Sequence, residues 1–192
     1  MKITESDYKR VAALLEVETA VVKAVAEVES GGRGGFLSDG RPVILFEGHI
    51  FWQQLKHRNM DPQIYMSGNE DIVYPKWTRR HYLGGAAEYG RLERAVCIQQ
   101  EAAWASASWG MFQVMGFNAG RCGFVSVEAF VKAMYLSETA QLEAFARFIL
   151  SRRLDSCLRA HNWAAFAKAY NGPDYLRNRY HTRLEDAYRK NS

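Results

Sequence analysis

Apolar and polar positions alternate with a helical period over most of the chain. A first helix is predicted from about Glu5 to Leu15, opened by Thr4 as N-cap with Asp7 three residues on. A second covers roughly Glu18 to Ser30 and stops at the Gly31-Gly32 pair, as a helix ending in a left-handed glycine does. The period then changes. Phe36–Phe46 carries two apolar arms around Asp39-Gly40, which predicts a β-hairpin. Helical spacing returns near Gly48–Arg58, from about Gly85 to Ala103, and in four or five segments between Ser126 and Lys190. The stretch from Asn59 to Trp77, with Asp61-Pro62, Ser67-Gly68-Asn69 and Tyr74-Pro75, reads as a long loop of the kind that often carries function. Helices with one small hairpin inserted early make an α+β fold that is predominantly α-helical.

Within that pattern one charge is out of place. Val22, Val25 and Ala26 share a face of the second helix, and Glu29 continues the row at spacings of seven, four and three. Seven residues turn a helix by about 700°, within about 20° of two full turns, so Glu29 points the same way as Val22. It also sits in the last turn, where the helix dipole disfavours a negative charge. Partial burial and the dipole both favour the protonated carboxyl near neutral pH, which is what a general acid requires. The competing reading is a Glu that reaches solvent or meets Arg33 or Arg41. Two further carboxylates follow: Asp39 at the predicted hairpin turn, and Glu47 directly after the apolar run Val43–Phe46. Glu47 also fits a helix-start acid that complements the dipole. Paired carboxylates beside a cleft suit glycoside hydrolysis, one giving a proton to the leaving oxygen while the other serves as nucleophile, charge stabiliser or base.

Composition bounds the rest. The 192 residues suit one domain, expected to span the whole chain as a single unit with no room for a second module. With 48% hydrophobic and 24% charged residues, disorder is excluded, and no apolar run is long enough to cross a membrane. The N-terminus turns polar and acidic within seven residues, without a signal-peptide core, so synthesis in a cytoplasm is expected. Cys97, Cys122 and Cys157 are odd in number and widely spaced, against both a disulfide framework and a zinc knuckle. The five histidines are scattered, without a metal-site spacing, and no Gly-x-Ser-x-Gly elbow surrounds Ser106 or Ser108. No metal or cofactor is expected.

Charge is uneven. Residues 147–192 hold ten basic and four acidic side chains, a net of +6, against −2 for the 146 residues before them. A basic end suggests an anionic partner, a wall polymer or a lipid surface, or else a solvated helix face. No nucleic-acid-binding pattern accompanies it. In the same segment Leu176, Tyr180, Leu184 and Ala187 form one stripe, favouring a helix docked on its own domain over a membrane lever.

Three blocks, in order, resemble the phage and bacterial N-acetylmuramidase family of the lysozyme-like superfamily. They are Val25–Gly32 followed by Phe36–His49, then Ala107–Gly116 with its Ser-x-Gly-x-x-Gln pattern, then Ala169-Tyr170-Asn171-Gly172. The resemblance implies a helix ending at Glu29 that faces a hairpin across a groove for a glycan strand, with Glu29 as catalytic acid. It implies that Ser108 and Gln113 support or touch the groove floor, and that Tyr170 and Asn171 contact a sugar or the acid. Tyr170 fits equally as a core residue after Trp163, Phe166 and Ala167. The implied partner is bacterial peptidoglycan, cut by a monomer that leaves the host cytoplasm through a phage-made pore. Two other readings stay open: a lytic transglycosylase of the same fold, and a non-catalytic glycan-binding or phage structural module.

Overall fold

The computed structural model describes residues 2–172 and 175–192. Helix α1 (Glu5–Leu15) starts with a complete capping box, in which Thr4 accepts from the Asp7 amide and Asp7 accepts from the Thr4 amide. Helix α2 (Thr19–Ser30) ends at Gly31, whose φ of 60° is the left-handed conformation that glycine adopts without strain. Helix α3 (Gly48–His57), the loop with a short 3-10 turn at Pro62–Tyr65, and helices α4 (Ala87–Ile98) and α5 (Gln100–Ala105) follow. The last two were expected as one helix. They separate at Gln99, whose extended backbone breaks the helix and whose side chain caps the Ala102 amide. Five helices complete the chain: α6 (Val127–Leu136), α7 (Glu138–Ser151), α8 (Asp155–Arg159), α9 (Trp163–Asn171) and α10 (Tyr180–Asn191).

The expected hairpin is corrected in its pairing. The turn at Asp39-Gly40 forms, but its arms share only one bridge, Phe36 with Pro42. The second arm, β1 (Ile44–Phe46), instead pairs antiparallel with β2 (Ala107–Trp109), and β2 pairs with β3 (Val114–Met115). Burial explains the choice. Ile44 and Phe46 are inaccessible, and β2 is buried at all three positions, so joining these strands removes both from water. The sheet thus brings the block around Ser108 against the strand that leads into Glu47.

The C-terminal stripe docks only in part: α10 begins at Tyr180, and Leu176 lies before it, 60% exposed. Helix α10 buries Leu184 and Ala187 against α2, the helix that carries Glu29. Two of its cations are engaged locally, Lys190 with Glu27 and Arg189 with Glu185. No helix among the described residues is long and apolar enough to cross a membrane.

Candidate active site

Glu29 is half-buried in the last turn of α2, on a helix whose Val22, Val25, Ala26 and Val28 are all buried. Its charge acts on the Tyr170 phenol. Burial, with a smaller contribution from Glu29, pushes the Tyr170 phenol well above its ordinary pKa, so it stays a neutral donor. That hydroxyl donates to the Phe112 carbonyl at 3.3 Å, while the ring packs against Phe145, Phe148 and Phe166. The core reading of Tyr170 describes its ring. Asn171 ends α9, and its side chain lies outside the described residues.

Ser108 and Gln113 are brought together. The Ser108 hydroxyl donates to the Gln113 side-chain oxygen at 2.8 Å, and the Gln113 amide donates to Gly110 at 2.8 Å and Val43 at 3.2 Å. Gln113 adopts a left-handed φ of 49°, a strained conformation for a side-chain-bearing residue, and these bonds hold it there. With both amide protons engaged, Gln113 braces the β2–β3 turn to the start of β1. On α7, buried Gln141 braces the same turn, accepting from the Met111 amide at 2.7 Å and donating to Met134.

Glu47 and Asp39 differ in setting. Glu47 precedes α3 with its side chain 15% exposed. It accepts from the Tyr82 hydroxyl at 2.6 Å and lies 3.3 Å from Nδ1 of His49. Burial first, and the Glu47 carboxylate second, raise the Tyr82 pKa, so this donor stays protonated far into alkali. Gly48 lets the loop close over this corner, since a Cβ there would fall 2.3 Å from the Tyr74 ring and 2.7 Å from the Ile72 carbonyl. Asp39, by contrast, is 42% exposed and spent on Arg41, which contacts it at 2.7 and 2.9 Å and holds its pKa below the ordinary value.

Glu88 and Arg91 were not singled out from the sequence, yet they organise this corner. Glu88 is wholly buried and accepts from Phe46 (3.2 Å), Leu83 (2.7 Å), Gly84 (3.0 Å) and Arg91 (2.8 Å). Arg91 donates in turn to the carbonyls of Phe46 and Asp71. The pair thus fixes the residue before Glu47 and the two residues after Tyr82. The signal was present: Glu88, Arg91, Leu92 and Ala95 fall on one helix row, the same misplaced-charge pattern that marks Glu29. Glu88→Ala should lower unfolding stability by about 3–5 kcal/mol, because Arg91 is left buried without its counter-charge. Urea unfolding measures this. Replacing both partners by Leu and Met should recover part of the loss, and a shift of the single variant within about 0.5 kcal/mol would contradict the clamp.

Among the described residues no group of His, Cys, Asp and Glu could hold a metal ion. The cysteines are unpaired, and burial pushes the Cys122 thiol up to about 12, which leaves it unreactive.

A mainly helical domain with a small antiparallel sheet, and an acidic residue in the last turn of a buried helix, is consistent with the lysozyme-like class of fold. The chain belongs to the N-acetylmuramidase family, whose model matches residues 18–192. It is similar to a solved structure titled as the crystal structure of the Burkholderia AP3 phage endolysin, at 44% identity and a TM-score of 0.92. That match covers 99% of this chain and 71% of the other. No curated protein matches.

Proposed function

We propose that this protein hydrolyses the β-1,4 bond between N-acetylmuramic acid and N-acetylglucosamine in peptidoglycan, and that it serves host-cell lysis. The observation that carries this reading is Glu29, a carboxyl on the buried row of α2 whose charge acts on the Tyr170 phenol, in a chain of the N-acetylmuramidase family. In its protonated form Glu29 gives its proton to the departing glycosidic oxygen. Glu47, oriented by Tyr82, stabilises positive charge on the sugar ring or activates water. Ser108 and Gln113 shape the floor, and Tyr170 contacts a sugar or the acid; Asn171 has the same role by family resemblance alone. Neither metal nor cofactor takes part.

The substrate is a glycan strand of the bacterial wall, met by a monomer in one catalytic domain. The protein is made in the host cytoplasm and reaches the wall through a phage-made pore. The basic end adds attraction to an anionic wall or membrane surface, through cations such as Arg177 and Arg179 that are exposed. Mass spectrometry of digested, purified peptidoglycan tests the reading. Reducing-end muramic acid is expected. A 1,6-anhydro end would instead make the protein a lytic transglycosylase, and no cleavage at all would make it a binding module.

A further inference from the structure

The segment between Tyr74 and Tyr82 has no regular structure, yet it is pinned firmly at both ends. Before it, Ile72, Val73 and Tyr74 are buried, and the Asp71 carbonyl accepts from Arg91 at 2.7 Å. After it, Tyr82 is bonded to Glu47, and the Leu83 and Gly84 amides are held by Glu88. Chain clamped on both sides presents its intervening side chains in a fixed arrangement, which lowers the ordering cost of binding.

What this rim presents is an indole. Trp77 is 60% exposed, the only tryptophan so exposed among the described residues, and Leu83 beside it is 63% exposed. Single apolar residues on a surface need no special cause, but this one is not isolated from chemistry. It lies five residues before Tyr82, whose hydroxyl hydrogen-bonds Glu47 at 2.6 Å. The Arg79 guanidinium lies 5.8 Å from the ring centroid, close enough to steady the ring by cation–π attraction. The result is an exposed flat apolar surface with a cation at its edge, on the clamped segment that leads into the Tyr82–Glu47 bond.

We propose that Trp77 is a substrate-binding platform on which an N-acetylhexosamine ring of the glycan strand stacks, next to Glu47. A pyranose presents C–H groups on one face and polar groups at its rim, so a flat indole covers the first while Tyr82 and Glu47 meet the second. The inference rests on the peptidoglycan reading above, and its test separates the two.

Titrate the Glu29→Gln protein with peptide-free strands of alternating N-acetylglucosamine and N-acetylmuramic acid, following tryptophan emission and calorimetric heat. In that background, Trp77→Ala should weaken binding by at least about tenfold, and Trp77→Tyr should stay within about threefold of the parent. The emission change should vanish in both, because the reporting indole is gone. With Glu29 intact, Trp77→Ala should raise KM and leave kcat within about threefold. Equal affinity of Trp77→Ala and its parent, or an unchanged emission response, would overturn the platform. Absence of saturable binding by the parent would overturn it too. Cleavage of the same strands by a protein carrying Glu29→Gln alone would instead remove Glu29 from its role, while the binding comparison still decides the role of Trp77.

Discussion

A folded Glu29→Gln protein should lose wall-lysing activity by at least about a hundredfold, the scale on which general acid catalysis acts. Glutamine keeps the shape and the hydrogen-bonding capacity of the side chain but has no proton to give to a leaving sugar oxygen. The packing around it should survive, because Val22, Val25, Ala26 and Val28 hold α2 in the core without help from residue 29. The Gly31 cap closes the helix just beyond it through backbone bonds alone. Loss of activity with an unchanged fold is therefore the expected pair of results. Turbidity loss of permeabilised cells, alongside circular dichroism, measures both. If a folded Glu29→Gln protein retained more than about a tenth of the parent activity, protonation by Glu29 could not be the main source of the rate.

How far the sequence predicts this arrangement follows from the range of the forces involved. The boundaries of α1 and α2 are readable because their stops are local: Thr4 and Asp7 cap one end, and Gly31 closes the other. The sheet is less so. Strand β1 finds its partner more than sixty residues away, and β2 is only three residues long, too short for alternation to identify a strand. Asp39-Gly40 does signal a turn, but a turn does not say which strand the following arm will join. The site divides in the same way. Glu29 is visible because a charge interrupts an apolar helix row, and Glu88 interrupts one in the same manner. Tyr82 and Trp77 lie in irregular chain, where no period exists to be broken. Only the fold brings Tyr82 to Glu47, through the Glu88 and Arg91 clamp.

Glu47→Gln should reduce activity by roughly ten- to a hundredfold, whereas Asp39→Asn should leave it within about twofold. Both residues follow Glu29 closely in sequence, and both were candidates for the second carboxylate. Their surroundings separate them. Asp39 already has a partner in Arg41, which neutralises it at the surface and takes up the oxygen that a sugar cation would need. Its amide replacement breaks an exposed ion pair, and such pairs contribute little. Glu47 is mostly enclosed, aimed by a 2.6 Å hydrogen bond from Tyr82, and backed by β1 and the buried clamp. A carboxylate held in that way keeps its orientation while charge develops next to it, at little reorganisation cost. Because burial and Glu47 raise the Tyr82 pKa, Tyr82 remains the donor through mild alkali. The comparison is made on peptide-free strands as well as whole walls, which keeps surface attraction out of the measurement. A loss from Asp39→Asn equal to or greater than that from Glu47→Gln would reverse the assignment and place the second carboxylate at the turn.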